Sequence, residues 1–354
     1  MNKIKAGILG CTGLVGQQFV RMLDRHPFFE VAFLSASKKS TGKRYSEAAD
    51  WVSGACIPAG MGDIIVTEAA PGAMKEMGVK VIFSALPSSV ARKTERNLAR
   101  AGFFIFTNAS SFRMDPDVPI VIPEVNSDHF ELVKAQSGDG RGFIVANSNC
   151  SVAGLVMGLK PLSGFGLRSV AVTTYQALSG AGRRGVSSLD ILGNVIPYIK
   201  DEEEKIERET KKALGQMGDG FVRDGGLEVN ASCCRVSTRV GHLESIVVET
   251  EDDPEIKAVI KALESFRGIP QSMQLPTAPE RPVIVANEAN RPQPVLDSGA
   301  GVPARAKGMA VTVGRIRKKG KKINFFLLVH NTIRGAAGTC ILNAEFAVKK
   351  SRIK

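Results

Sequence analysis

The 354-residue sequence lacks any long uninterrupted run of apolar residues. A membrane-spanning helix needs a run of about 18 or more apolar residues, and no stretch approaches that length. The first ten residues, MNKIKAGILG, also lack the pattern of a secretory signal and lead directly into a glycine-rich turn. These absences predict a cytoplasmic protein with no membrane partner.

Cysteine is scarce, and its spacing lacks the pairs that bind metal ions. The chain has six cysteines and no CxxC pair, and the adjacent Cys233 and Cys234 cannot easily bind one ion together. In a reducing compartment thiols are structural or reactive and are rarely bridged. We therefore expect no metal site.

The positive charge of the chain is not concentrated in a tail or stripe. Forty-seven Lys and Arg residues against 35 Asp and Glu residues give a net charge of +12. The densest basic cluster, residues 317–322, lies between apolar runs at 309–316 and 323–329, which predicts an exposed hairpin turn. We expect no nucleic-acid partner, because a dispersed positive charge instead attracts multiply anionic small molecules.

Strand and helix patterns alternate in the first part of the chain. Helical patterns cover residues 13–24 and 91–101, and strand patterns cover residues 3–9, 30–35, 80–84, 103–106 and 120–122. This alternation predicts an α/β fold with an N-terminal doubly wound, Rossmann-type parallel sheet.

The remainder of the chain predicts a second, α+β domain with a mixed sheet. Residues 201–212 have the charge pattern of an exposed helix. In residues 336–348 the spacing of apolar residues predicts a helix with two apolar faces. The predicted domains are residues 1–148, completed by a helix within 332–354, and residues 149–331. The β-rich runs are residues 169–175, 233–236, 244–249, 309–316 and 325–329.

Four glycines recur every three residues where the first strand ends and the first helix begins. They are Gly7, Gly10, Gly13 and Gly16. Such glycines permit a tight turn and a close approach of the backbone to a pyrophosphate at the helix N-terminus. The pattern predicts a dinucleotide site, although a tight connection without a ligand would give the same spacing.

The end of the second predicted strand lacks the acidic residue that usually binds the ribose of NAD. Ser35, Ser37, Lys38 and Ser40 stand there instead. Hydroxyl and ammonium groups suit the 2′-phosphate of NADP. NADP is therefore the predicted cofactor, and an exposed basic loop is the alternative.

Cys150 lies where a strand pattern, residues 144–146, passes through a polar turn into a helical pattern. A thiol near a helix N-terminus has a lowered pKa, and the free N–H groups there can hold an oxyanion. We therefore interpret Cys150 as a nucleophile. A buried, inert cysteine is the alternative.

Only four histidines are present as possible partners of this thiol. His26 precedes a proline, and His129 lies in a polar segment typical of a surface. His242 follows a strand-like stretch that contains Arg235 and Arg239, and cations in such a stretch suggest an anionic substrate. The spacing does not choose between His242 and His330.

The chain is similar to the aspartate-β-semialdehyde dehydrogenase family, and to its archaeal and fungal branch, over nearly its whole length. The motifs that carry the resemblance are GILGCTGLVGQ, NASSFRMD, PEVN, NSNCS, TTYQALSGAG, NVIPYI, EEEK, RVSTRVGH, RPQP and HNTIRGAAG, in this order. The resemblance implies reduction of L-aspartyl-4-phosphate by NADPH, in the biosynthesis of lysine, threonine, methionine and isoleucine. It also implies a homodimer or homotetramer formed through the second domain.

The matching motifs imply specific roles for individual residues. Cys150 resembles the nucleophile, His242 the acid/base and Gln176 the residue that orients the acyl group. Arg235 matches the residue that binds the substrate carboxylate, and Arg113 a cation of the phosphate site.

Further residues are implied to bind substrate and cofactor. Glu202 and Lys205 resemble the residues that hold the substrate amine and phosphate, and Glu203 is the alternative to Glu202. Asn331 matches a contact beside the nicotinamide. The residues that match the cofactor's phosphate loop are Gly10, Thr12, Gly13, Leu14 and Val15, and those at its 2′-phosphate end are Ser35, Ser37, Lys38 and Ser40.

Two other functions remain open from the sequence. Malonyl-CoA reductase has the same scaffold and the same cysteine chemistry, and a non-catalytic NADP- or RNA-binding protein is the alternative from another class.

Overall fold

The computed structural model describes residues 3–136 and 142–353. The chain forms two compact units. The first comprises Met1–Val121, Asp128–Asn147 and Ala336–Lys354, and the second comprises Ile122–Ser127 and Ser148–Gly335. The structure divides the chain after residues 147 and 335, whereas the sequence predicted divisions after residues 148 and 331.

The first unit contains a six-stranded sheet in which all strands are parallel. The strand order is 3-2-1-4-5-6, which is the order of Rossmann folds. The predicted doubly wound sheet is therefore confirmed. Its strands are β1 (Ile4–Leu9), β2 (Phe29–Ser35), β3 (Val66–Thr67), β4 (Val81–Ser84), β5 (Phe104–Thr107) and β6 (Ile144–Ala146).

The second unit contains a mixed six-stranded sheet, as predicted, with the order 10-7-11-14-13-12. Strands 10 and 7 are parallel, as are 12 and 13, and the other neighbours are antiparallel. The basic cluster forms the turn of a hairpin, also as predicted. The strands are β7 (Leu167–Gln176), β8 (Gln216–Met217), β9 (Val222–Arg223), β10 (Glu228–Arg235), β11 (His242–Thr250), β12 (Val283–Ala286), β13 (Val311–Lys319) and β14 (Lys322–Val329), of which β8 and β9 form a separate pair.

Helices cover parts of both sheets. In the first unit α13 packs against β4, β5 and α1, and in the second unit α7 packs against β11, β13, β14 and α9. The helices in chain order are α1 (Leu14–Met22), α2 (Tyr45–Ala48), α3 (Pro71–Glu76), α4 (Ser88–Arg100), α5 (Pro123–Asn126), α6 (Val133–Gln136), α7 (Cys150–Leu159), α8 (Ser188–Ile191), α9 (Glu202–Leu214), α10 (Ile256–Ser265), α11 (Ile269–Ser272), α12 (Pro294–Asp297) and α13 (Gly338–Lys349). Within residues 3–136 and 142–353, no helix has the length and apolar character needed to cross a membrane.

Three local predictions are wrong. Residues 201–212 do not form an exposed helix, because Glu202, Ile206, Glu209 and Thr210 of α9 are buried. Residues 120–122 do not form a strand, because only Ile120 pairs, in a single bridge to Ala146, and Pro123 then begins α5. Proline favours the first position of a helix, which ends the extended segment there. His129 does not lie on the surface: it is buried in a short 3-10 helix, Ser127–Leu132.

A buried carboxyl joins the ends of two strands in the first unit. Glu95 on α4 is fully buried, and its Oε1 accepts hydrogen bonds from Ser84 Oγ at 2.6 Å and Thr107 Oγ1 at 2.8 Å. These two residues end β4 and β5. Burial raises the pKa of Glu95 to about 7, although the two hydroxyl donors oppose the shift.

This raised pKa predicts how the stability of the chain depends on pH. Between about pH 4.5 and pH 7 the folded chain keeps a proton that the unfolded chain has lost, so the free energy of unfolding falls as the pH rises. Glu95→Gln should remove this pH-dependent part of the free energy of unfolding, which amounts to roughly 3 kcal/mol between about pH 4.5 and pH 7. Urea denaturation at several pH values measures the difference. The exposed Glu30→Gln is the control, and identical pH slopes for wild type and Glu95→Gln would contradict the prediction.

Candidate active site

Cys150 is the first residue of α7, and Asn149 caps that helix. Asn149 Oδ1 accepts hydrogen bonds from the N–H groups of Ser151 at 2.8 Å and Val152 at 3.4 Å. The rest of α7 is buried, so this capped end fixes where the half-buried Cys150 thiol lies. This confirms the prediction that Cys150 follows a strand and a polar turn and lies at the N-terminus of a helix.

His242 lies beside this thiol. It is the first residue of β11, and its Nε2 is 3.2 Å from Cys150 Sγ. On the other side of the ring, Nδ1 accepts a hydrogen bond from the Ala177 N–H at 3.0 Å. Because Nδ1 is an acceptor, the hydrogen of the neutral ring sits on Nε2 and points toward the sulfur.

The surroundings of His242 keep its ring neutral. The residue is fully buried, and burial lowers its pKa to about 3, with smaller contributions from the positive charge of Arg235 and from His330. Near neutral pH the imidazole is therefore a hydrogen-bond donor from Nε2 and a poor base.

Glu202 joins two amide side chains close to the thiol. Its Oε1 accepts hydrogen bonds from Asn149 Nδ2 and from Gln176 Nε2, both at 2.9 Å. Glu203, the alternative left open by the sequence, instead accepts the N–H of Cys233 on β10. Of the two glutamates, Glu202 is the one that contacts Gln176.

Two cations lie on neighbouring elements of the second unit. Arg235 ends β10, pairs in register with Gln176 at the end of β7, and donates from Nη1 to Ala177 O at 2.7 Å. Lys205 is half-buried on α9, and its Nζ lies 3.4 Å from Lys200 O. Guanidinium and ammonium groups in such positions suit an anionic substrate.

Both polar atoms of the Asn331 side chain make hydrogen bonds. Its Oδ1 accepts from the N–H of Gly241, the residue before His242, at 3.0 Å, and its Nδ2 donates to Ser179 Oγ at 2.8 Å. Asn331 therefore helps to hold the start of β11.

Several contributors were missed from the sequence. Ala177 acts through its backbone N–H, and Gly335 leaves space for the nucleophile, since a Cβ on it would lie 2.6 Å from Cys150 Cβ. Glu209 on α9 accepts the backbone N–H of Asn149. Asn149 carried a recognisable signal, because asparagine before a helical pattern is typical of an N-cap. Ala177, Gly335 and Glu209 carried no such signal in the sequence.

The remaining candidates lie in the first unit. The turn after β1 stands against the end of β2, because the N–H groups of Gly10 and Cys11 both donate to Ser35 O, at 2.8 and 3.0 Å. Ser37 and Lys38 are exposed and Ser40 is half-buried in the turn that follows. Arg113 is largely buried and donates to Asn108 O at 2.9 Å.

The turn after β1 leaves room for a ligand backbone. Gly10 has a φ of +73°, and a Cβ on Gly16 would lie 2.1 Å from Gly10 O, so both positions need glycine. Gly13 caps α1 without a side-chain hydrogen bond, which leaves the N–H groups of the first turn, at Leu14 and Val15, without a capping side chain. Thr12 lies between them and Gly10.

Known proteins with similar sequences and structures share this architecture. A semialdehyde dehydrogenase NAD-binding domain model matches residues 5–133, and a semialdehyde dehydrogenase dimerisation domain model matches residues 159–334. The chain is 45% identical to the aspartate-semialdehyde dehydrogenases of Methanothermobacter thermautotrophicus, covering 97% of this chain and 98% of the relative, and of Archaeoglobus fulgidus, covering 99% and 100%.

Two further comparisons extend this picture. The malonyl CoA reductase (NADP) of Metallosphaera sedula is 39% identical, covering 99% of this chain and 98% of the relative. The crystal structure of aspartate semialdehyde dehydrogenase with NADP from Candida albicans superposes with a TM-score of 0.89 at 37% identity, covering 99% of this chain and all of that one. The chain therefore belongs to the semialdehyde dehydrogenase family of oxidoreductases.

Proposed function

We propose that the protein reduces L-aspartyl-4-phosphate to L-aspartate-4-semialdehyde and phosphate with NADPH, through a thioester on Cys150. The observation that carries the proposal is the 3.2 Å pair of Cys150 Sγ and His242 Nε2 at the start of α7. A thiol there can attack an acyl phosphate, because phosphate is a good leaving group. The names of the relatives support this substrate, and the reaction would serve lysine, threonine, methionine and isoleucine biosynthesis.

The residues of the first unit fit a dinucleotide phosphate. Gly10 and Gly16 admit only glycine, and the start of α1 offers N–H groups to an anion. Ser35, Ser37, Lys38 and Ser40 would hold the 2′-phosphate at the end of β2, and Asn331 would contact the nicotinamide. When bound, NADPH supplies a hydride to the thioester carbon.

The first chemical step forms the thioester. The Cys150 thiolate, stabilised by the first turn of α7 and by the Nε2–H of His242, attacks the acyl carbon. The new S–C bond replaces the C–O bond to phosphate, which leaves with its bonding electrons and takes a proton from solvent. His242 need not accept a proton in this step, which agrees with its low pKa.

The second step releases the aldehyde. Addition of hydride turns the thioester carbonyl into an oxyanion, and the Nε2–H of His242 can donate a hydrogen bond to it. The oxyanion then collapses to the aldehyde carbonyl, the S–C bond breaks, and Cys150 returns as the thiolate. His242 therefore acts mainly as a donor to whichever atom carries the negative charge.

The neighbouring side chains suit an amino-bearing acyl phosphate. Arg235 would bind the substrate carboxylate, and the carboxylate of Glu202 would bind the substrate amine. Lys205 and Arg113 would bind the phosphate, and Gln176, held by Glu202, would orient the acyl group.

The two units would divide these tasks. We propose that the first binds NADP, that the second carries the catalytic residues, and that the chain forms a homodimer or homotetramer through the second. The description of the matching second domain model as a dimerisation domain supports this assignment.

Malonyl-CoA reduction is the second candidate, because one relative with full coverage carries that name. The Glu202 carboxylate favours a substrate with an amine, which malonyl-CoA lacks. We expect turnover of aspartate semialdehyde with phosphate and NADP, and little reduction of malonyl-CoA, in parallel steady-state assays. Faster reduction of malonyl-CoA would reverse the assignment.

Cys150→Ala should abolish turnover, because it removes the thiol that forms the proposed thioester. NADPH binding should persist, because the proposed cofactor loop is unchanged. Stopped-flow kinetics would measure kcat and fluorescence titration would measure the Kd for NADPH. Cys56→Ala, at an exposed thiol, is the matched control and should behave as wild type. Substantial turnover by Cys150→Ala would exclude the thioester mechanism.

His242→Ala should lower kcat by about 10²–10³-fold, because it removes the hydrogen-bond donor to the sulfur and the oxyanion. His242→Gln should retain clearly more activity than His242→Ala, because its amide can still donate a hydrogen bond to the sulfur or the oxyanion. The wild-type pH profile of kcat/KM should show no ionisation of His242 above about pH 4, since its pKa is about 3. Equal losses in the two variants would indicate a general base instead of a donor.

The cofactor assignment predicts much slower turnover with NADH than with NADPH at equal concentration. Lys38→Ala should raise KM for NADPH and leave KM for NADH nearly unchanged, because only NADPH has a 2′-phosphate. Lys43→Ala, at another exposed lysine, is the control. Equal use of both cofactors by the wild type would refute the assignment.

A further inference from the structure

One fully buried amide links the turn after β1 to a segment that lies later in the first unit. Gln17 on α1 donates from Nε2 to Thr12 O at 3.1 Å and to Asp50 O at 2.8 Å. Its Oε1 accepts a hydrogen bond from the Val52 N–H at 2.9 Å. Only this orientation of the amide serves two carbonyl groups and one N–H at once. Gln17 therefore ties the turn to residues 50–52.

The same part of the chain provides a second hydrogen bond to the turn. Tyr45, the first residue of α2, is fully buried, and its hydroxyl donates to Cys11 O at 3.0 Å. The ring of Tyr45 stands edge-on to that of Trp51, with 6.4 Å between the ring centroids. We call residues 45–52 the brace segment. Two consecutive carbonyl groups of the turn, at Cys11 and Thr12, are thus bound by Tyr45 of this segment and by Gln17, which the segment holds.

The direction of these two carbonyl groups decides what the turn presents to a ligand. In a trans peptide the C=O and the next N–H point in opposite directions. Because the oxygens of Cys11 and Thr12 are bound to side chains, the N–H groups of Thr12 and Gly13 point away from those side chains. A flip of either peptide would place a carbonyl oxygen where the N–H group was, and that oxygen would repel an anionic phosphate.

We propose that Gln17 and Tyr45 are positioning residues for the cofactor, because they keep the peptide groups of the turn in the orientation that suits the pyrophosphate of the dinucleotide. The inference rests on the proposed assignment of this turn to the cofactor. Glycine permits several backbone conformations in the turn, and the two side chains select one of them. They act on the pyrophosphate, which NADPH and NADH share, whereas Lys38 is proposed to act on the 2′-phosphate, which only NADPH has.

Gln17→Met tests the link, because methionine has nearly the size of glutamine and lacks its amide. The Kd for NADPH should rise by about 10-fold or more, and the Kd for NADH by the same factor. Gln17→Glu should bind at least as weakly, because its carboxylate would face two carbonyl oxygens. Fluorescence titration measures both constants. Gln18→Met is the matched control on α1 and should bind as wild type, since Gln18 Oε1 has no hydrogen-bond partner in the described part of the chain.

Tyr45→Phe removes only one hydroxyl and should raise both Kd values by a smaller factor, about 3-fold. Adenosine 2′-monophosphate carries the 2′-phosphate and no pyrophosphate, so its Kd, measured by calorimetry, should stay unchanged in Tyr45→Phe and Gln17→Met. An unchanged Kd for NADPH in Gln17→Met would overturn the proposal. A loss confined to NADPH, or an equal loss for adenosine 2′-monophosphate, would also overturn it.

Kinetics separate the positioning of the turn from a general loosening of the fold. At saturating NADPH the kcat of Gln17→Met should stay within about 2-fold of wild type, while KM for NADPH rises. The rate at which iodoacetamide alkylates Cys150 should not change, because Cys150 belongs to the other unit. A parallel fall in kcat and in the alkylation rate would indicate a merely structural role and contradict the proposal.

Further measurements separate this inference from the proposed function. The melting temperature and the emission of Trp51, the only tryptophan, report on folding, and Tyr45→Phe carries the test if Gln17→Met does not fold. A wild type that binds NADPH but does not turn over aspartate semialdehyde would refute the proposed reaction and leave this test valid. A wild type that binds neither dinucleotide would refute both the cofactor assignment and this inference. Unchanged NADPH binding in both variants would refute the inference alone.

Discussion

The side chain of Asn149 makes hydrogen bonds in two directions, and the arrangement around Cys150 depends on both. Its oxygen binds the first N–H groups of α7, and its nitrogen binds Glu202, which also holds Gln176. A helix cap fixes where a helix begins, and here that point is the proposed nucleophile. The same residue therefore ties the thiol to the side chains that would orient a substrate.

The second organising constraint is the backbone N–H of Ala177. It donates a hydrogen bond to Nδ1 of His242, so the hydrogen of the neutral ring lies on Nε2 and points toward the Cys150 sulfur. Burial and the nearby Arg235 make a positively charged ring unfavourable, so the histidine stays a neutral donor. A mechanism in which negative charge moves between sulfur and oxygen needs such a donor, and it needs no strong base.

Buried acids occur in both units, and their environments differ. Glu95 accepts hydrogen bonds from two hydroxyl groups at the ends of β4 and β5, whereas the hydroxyl beside Glu244 on β11 is that of Ser151 on α7. In each case the cost of removing a carboxylate from water favours the protonated form.

The sequence by itself determined the types of most elements and the position of the thiol. Glycine spacing and apolar periodicity are local properties, so they located the turn after β1, the Rossmann strands and the start of α7. Local patterns failed at residues 120–122, where Pro123 begins a helix, and at His129, whose polar neighbours do not reveal its burial. Only the tertiary structure decided that His242 lies against Cys150, that Glu202 and not Glu203 contacts Gln176, and that His242 is neutral. These facts depend on contacts between residues far apart in the chain and on burial, which arise only when the sheet and its helices pack together.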